Sequence, residues 1–204
     1  MNEPQDTLDL LDYRRDVADL YADARHGGGG AATWSRWRTD RDELFATHPQ
    51  SALSPERREV FGGLPYFPYD PAWRLEGQVE AVDPGEAIEV GHSGSGTTAF
   101  RRFGRVDLEQ GGARFSLTLF WLTGYGGGAF LPFRDGTSGT DTYGGGRYLL
   151  DTVKGADLGH DGGIVILDFN YAYHPSCVHD SRWSCPLAPP ENWLDVEIRA
   201  GERL

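Results

Sequence analysis

Six polar residues in two C-terminal segments carry the side chains needed to hold an anion. Arg134, Tyr143 and Arg147 lie in LPFRDGTSGTDTYGGGRY, and Asp168, Asn170 and Tyr173 in LDFNYAY. Paired guanidiniums beside free N–H groups and hydroxyls bind carboxylate or phosphate oxygens through forked, charge-assisted hydrogen bonds. Strand alternation places Asp168 and Asn170 on one face, where they could orient a ligand or a water. The same residues also have structural uses. Arg134 and Arg147 could pair with Asp135, Asp151 or Asp168, and Asp168 and Asn170 could cap a turn. Tyr143, Tyr148, Tyr171 and Tyr173 could line a cavity or form its wall. Neither GxxxxGK[ST] nor a strand-coupled GxGxxG occurs, so the glycine-rich loop is no nucleotide signature.

A second constellation follows directly: His174, Cys177, His179 and Cys185. These ligand types suit zinc or iron, and Pro175 and Pro186 could bend the loop around a metal. No CxxC pair is present, and the short loop between the cysteines fits a disulfide as well as a metal clamp. Free thiols, a disulfide, a metal site, and a nucleophilic Cys177 served by His174 or His179 all stay open.

Several longer motifs occur in one order: FGGLPYFPYDPAWRLEG at 61–77, LPFRDGTSGTDTYGGGRYL at 131–149, LDFNYAY at 167–173 and CPLAPPENWLDVEIRAGE at 185–202. Together they resemble the bacterial and archaeal domain of unknown function family 1684. The resemblance implies a single-domain architecture and draws attention to these motifs without attaching an activity or cofactor to them. Members of that family commonly read Tyr-Asn-Pro where this chain has Tyr173-His174-Pro175, which makes any role of His174 particular to this chain.

The charge balance narrows the partners. Thirty-one acids against 19 bases give a formal net charge of −12, which argues against nucleic acid, whose phosphates require a concentrated cationic surface. Arg101, Arg102 and Arg105 form the one basic knot, read as outward-facing strand residues. Lys154 is the sole lysine. Such an acidic surface fits a salt-adapted, halophilic host, with stability expected to rise with added KCl as self-repulsion is screened. No apolar run approaches the roughly 20 residues of a membrane span. The start, MNEPQDTLDLL, lacks the basic and apolar regions of a secretory signal. The expectation is a cytoplasmic protein with reduced cysteines.

Two kinds of periodicity position these residues. Leu10, Tyr13, Val17, Leu20 and Tyr21 recur at helical steps after a cap at Asp6 or Thr7. Trp34, Trp37, Leu44 and Phe45 form a second stripe behind a cap at Thr33, and Ser54-Pro55 opens a third, short helix. From Trp73 the period changes to alternation, with glycine-rich turns at meander spacing. The uniformly apolar run from Gly163 to Phe169 predicts a central strand buried on both faces, and Leu194, Val196 and Ile198 a last strand. The fold predicted is mainly β: an antiparallel barrel or twisted sandwich (residues 61–204), with two or three N-terminal helices (residues 1–60) packed against it as one folding unit.

The functional expectation is a small-molecule-binding domain for an anionic metabolite, its pocket formed by Arg134, Tyr143, Arg147, Asp168, Asn170 and Tyr173. A metal-dependent or thiol-based enzyme using the same pocket is the alternative. A third reading is a partner-binding scaffold, with an exposed aromatic segment from Leu64 to Trp73 as its contact patch.

Overall fold

The computed structural model describes residues 4–204. It opens with α1 (Pro4–His26) and α2 (Gly30–Thr47), joined as a helical hairpin, followed by α3 (Pro55–Glu59). Ser54 caps α3 by accepting the N–H of Arg57 at 3.4 Å, with Pro55 in the first turn. Helix α2 begins three residues ahead of the expected cap. Gly28, Gly29 and Gly30 take φ of 76°, 75° and 84°, a left-handed turn that glycine adopts without penalty. Thr33 is left inside the helix, where its hydroxyl donates to the Gly27 carbonyl at 2.9 Å.

Nine strands follow: β1 (Arg74–Gln78), β2 (Glu80–Ala81), β3 (Ile88–Gly91), β4 (Thr97–Gln110), β5 (Ala113–Leu122), β6 (Gly128–Phe133), β7 (Arg147–Asp151), β8 (His160–Asp161) and β9 (Ile164–Asp168). They form a six-stranded sheet in the order β2-β4-β5-β6-β7, with β3 also on β4, and a three-stranded sheet β1-β9-β8. Every strand pairing is antiparallel. Neither sheet closes on itself, so the architecture is a twisted sandwich rather than a barrel. Alternation in β5 turns Phe115, Leu117 and Leu119 inward, where they pack with Val106, Leu131, Phe133, Val165, Leu167 and Phe169. Each such fully buried side chain contributes about 1.5–3 kcal/mol.

Two expected strands differ from the structure. β9 is the middle strand of its sheet, but of its apolar residues only Val165 and Leu167 are buried, while Ile164 is exposed. The reason is that the helical arm covers its outer face incompletely, leaving a cavity among Ile166, Ala24 and Leu158. The segment holding Leu194, Val196 and Ile198 bends at Asp195 and Val196 and forms no strand. Two backbone bonds hold its start, Leu194 N–H to the Arg134 carbonyl and Gly136 N–H to the Val196 carbonyl, and side chains hold the rest: Asp135 accepts the Ile198 N–H at 2.7 Å, and Arg147 donates to the carbonyls of Ile198, Ala200 and Glu202.

An aromatic cluster fixes the arm to the sandwich. Tyr21, Trp34, Trp37 and Phe45 pack on Leu64, Tyr66 and Tyr171, and the Trp34 indole N–H donates to the Asn170 carbonyl at 2.8 Å. This packing overturns the expected contact patch, because Leu64, Tyr66 and Phe67 are turned inward and buried. Among the described residues, no helix is long and apolar enough to cross a membrane.

Candidate functional site

An arginine occupies a core position on α2. Arg41 falls in the stripe of Trp34, Trp37, Leu44 and Phe45 and is buried with them. Its guanidinium donates to the Tyr66 hydroxyl at 2.5 Å, lies 3.0 Å from Glu202 Oε2, and sits over the rings of Phe45 and Tyr173. Glu202 is fully buried. Gly201 delivers it there with φ 80°, passing so close to the carbonyls of Phe169 and Ala172 that a Cβ would lie 2.6 Å from each. Burial alone would raise the Glu202 carboxyl. The charge of Arg41 and the two imidazoles reverse this and hold it well below the usual carboxylate range.

Two histidines complete the cluster. The His174 N–H donates to Glu202 Oε2 at 3.2 Å, while His174 Nδ1 and His179 Nε2 lie 3.5 and 3.3 Å from Oε1. His174 Nε2 accepts the Tyr143 N–H at 3.1 Å, which assigns the ring proton of the neutral imidazole to Nδ1, facing Glu202. His179 is seated edge-on against Phe45 at 5.1 Å. Its Nε2 and Glu202 Oε1 are buried side-chain atoms without a hydrogen-bond partner, close to each other but out of alignment.

The residues of this cluster border open space. His174, His179 and Glu202 line a cavity of ≈ 370 Å³ whose other walls include the 61–65 segment, Arg57 and Arg203. A smaller cavity of ≈ 60 Å³ touches Arg41, Tyr173, Lys154 and His174. The larger one combines apolar walls, two guanidiniums and a polar edge with unused bonding capacity, the composition of a small-molecule cleft.

The six residues predicted as a single anion pocket are dispersed. Arg147 is fully buried, pairs with Asp135 at 3.3 Å and clamps the C-terminal segment. Arg134 is half-buried and stacks on Trp193 at 4.4 Å. Asp168 ends β9 in the other sheet, and Asn170 lies in the short 3-10 turn that follows it. Asp168 Oδ1 accepts the backbone and side-chain N–H groups of Asn170, and Asn170 pairs with both backbone polar groups of Asp70 at 2.9 Å. Tyr173 reaches the Arg41 cluster, with its hydroxyl 3.3 Å from Asp151, and Tyr143 reaches it through its backbone. Tyr148 is spent on the Pro186 carbonyl.

The four candidate metal ligands divide into two pairs. His174 and His179 face Glu202, whereas Cys177 and Cys185 are free thiols set beside Ser93 and Tyr143. Among the described residues, no group of three or more His, Cys, Asp or Glu is arranged to hold a metal ion, so the zinc or iron expectation finds no ligand set here. Donation from the Cys185 thiol, against the opposing effect of burial and helped by Ser93 and Tyr143, brings Cys177 down to about 6 and pushes Cys185 up. The thiolate of Cys177 forms as pH rises through that value, so iodoacetamide should label Cys177 first, with a rate midpoint near pH 6. Equal labelling of both thiols with a midpoint at about 8.5 would contradict the pairing.

Arg41, Tyr66, Asp135 and Glu202 were absent from the predicted site. Arg41 carried a signal, a charge at a stripe position where the helix period demands an apolar residue. Glu202 carried a weaker one as the acid that closes the last shared motif.

Fold and site together define an open antiparallel sandwich with a helical arm and a buried carboxylate–guanidinium–imidazole cluster at their junction. The chain belongs to the family described as "Protein of unknown function (DUF1684)", whose model matches residues 59–203. That span includes Glu202, both histidines and the 61–65 wall, while Arg41 comes from the arm ahead of it. The chain is also similar to an uncharacterised protein of Haloarcula marismortui with a solution NMR structure. The two are 35% identical with a TM-score of 0.58, over 83% of this chain and 91% of the other. Among curated proteins, none matches.

Proposed function

We propose that this protein binds a small anionic metabolite with an apolar portion, in the cavity walled by His174, His179 and Glu202. The observation that carries the reading is the ≈ 370 Å³ space walled by His174, His179, Glu202, Arg57 and Arg203, with His179 Nε2 and Glu202 Oε1 buried behind that wall without a hydrogen-bond partner. Buried polar atoms without partners cost free energy, about 1–3 kcal/mol each, which a ligand bearing one donor and one acceptor would recover. Arg57 and Arg203 supply the cationic wall and Leu53, Phe61, Leu64 and Val178 the apolar one. Two adjacent free thiols favour a reducing, cytoplasmic setting.

Thermal denaturation against a panel of carboxylates and phosphate esters tests the reading. A subset is expected to raise the melting temperature of the wild type, with the increase lost in Arg203→Ala and His179→Leu. A panel without effect, or an effect that survives both substitutions, would overturn it.

A further inference from the structure

The two sheets do not cover each other along their whole length. In the large sheet β4 and β5 run for 14 and 10 residues, whereas β1, β8 and β9 of the small sheet have five, two and five. At the end marked by the β8–β9 turn, a recess of ≈ 280 Å³ opens between the layers. Its walls are hydrocarbon: Val79 and Val165 on the small-sheet side, and Phe103, Leu119, Ala129 and Leu150 on the other.

Small residues create the space. Gly104 follows the bulge at Phe103 in β4 and lets Val79 pack on bare backbone, since a Cβ at that position would run into the Val79 methyl. On β6, Ala129 stands in the row whose next members, Leu131 and Phe133, fill the core. Leu119, Leu150 and Val165 form a buried floor, while Phe103, 39% exposed, stands at the mouth. Folded interiors leave few voids larger than a water. A hydrocarbon-walled space of this size with an open mouth is a binding recess, not a packing gap.

The rim narrows the class of occupant. Thr152 Oγ1 accepts the Ala129 N–H at 2.7 Å, and Asp157 accepts from Arg25 and from the Gly159 N–H. Among the described residues, no lysine or arginine lines the recess, and His160 is the one polar side chain there that forms no hydrogen bond. An inserted peptide would bury N–H and C=O groups with nothing to bond. An anion would meet no free cation, in a molecule whose formal net charge is −12.

We propose that this recess is a second binding site, taking a small uncharged hydrophobic molecule with an aromatic or aliphatic body and at most one polar group, which faces His160. An apolar cavity of about 150 Å³ holds one benzene, and this one is nearly twice as large. The bulk of two fused rings fits it. The ligand class is opposite to that of the cavity at Glu202, with which the recess shares no lining residue.

Fluorescence titration with N-phenyl-1-naphthylamine, an uncharged fused-ring probe that brightens in apolar surroundings, tests the proposal. Saturable one-to-one binding at micromolar concentration is expected. The same skeleton carrying a sulfonate, 8-anilinonaphthalene-1-sulfonate, should displace the probe only at roughly tenfold higher concentration or more, because its charge would be buried unpaired. Ala129→Leu fills the recess and should abolish binding while the melting temperature holds or rises, as cavity-filling substitutions do. Phe103→Ala, at an exposed position, should weaken binding about tenfold, as lost contact in an apolar pocket does. No saturable binding, wild-type affinity in both folded variants, or displacement by the sulfonate at equal concentration would overturn the assignment. So would a wild type that sediments as a dimer and turns monomeric in Phe103→Ala, which would give the recess to a second copy of the chain. Because neither variant touches the cavity at Glu202, these outcomes leave the metabolite-binding proposal independently testable.

Discussion

Glu202→Ala is expected to destabilise the protein by about 3–5 kcal/mol, the cost of leaving a buried charge without its partner. The substitution strands Arg41, which is buried between Phe45 and Tyr173, and removes the acceptor of the His174 N–H. At about 2–4 °C per kcal/mol for a chain of this size, the melting temperature should fall by roughly 6–20 °C. Replacing both charges, Arg41→Met with Glu202→Leu, should cost less than the sum of the single changes, since the two groups lie 3.0 Å apart. Strict additivity would show that the pair does not act as a unit.

The same carboxylate sets an acid limit. Its folded-state pKa lies well below the ordinary value, so its contribution to stability is fully present above the unfolded Glu pKa of about 4.3. That contribution is lost as pH falls through the depressed folded value. Glu202→Gln should therefore flatten the decline of stability below that range, and an unchanged acid limb would contradict the shift.

Arg147→Met should have an effect of similar size, about 3–5 kcal/mol, because it abandons buried Asp135 and three carbonyls. Amide exchange reads the mechanism directly: the N–H of Ile198, held by Asp135, and that of Glu202, held by Ala172, should lose protection before the central strands β5 and β9. A folded variant with wild-type exchange in this segment would show that Arg147 does not clamp it. The outcome also separates structural use from ligand binding, since a pocket arginine could be removed with little change in stability.

Local periodicity made most of the fold legible. Helical stripes at Leu10–Tyr21 and Trp34–Phe45, alternation in β5 and the glycine-rich turns all act within one element, and they appear in the structure as read. The misread C-terminal strand shows where such reading stops. Leu194, Val196 and Ile198 have strand spacing, but their partners lie more than 50 residues earlier, the backbone of Arg134 and Gly136 and the side chains of Asp135 and Arg147, and no local pattern reports them.

The candidate site was less legible for the same reason. Rare polar residues mark either a binding surface or a buried network, and composition does not separate the two. Arg147, Asp168 and Asn170 are members of internal networks, bonded to the C-terminal carbonyls, to each other's turn and to Asp70. His174 and His179 resemble metal ligands in the sequence because Cys177 stands between them and Cys185 follows, whereas their partner is Glu202, joined to them only by the path of the chain end under the arm.

Native mass spectrometry of untagged protein, purified without denaturation from its own host, tests the binding proposal most directly. A discrete excess mass that disappears in His179→Leu, with the fold of that variant verified by circular dichroism, is the predicted result. An excess mass that persists in the folded variant would place the ligand elsewhere, and bare polypeptide mass in a wild type that also ignores the metabolite panel would contradict the account.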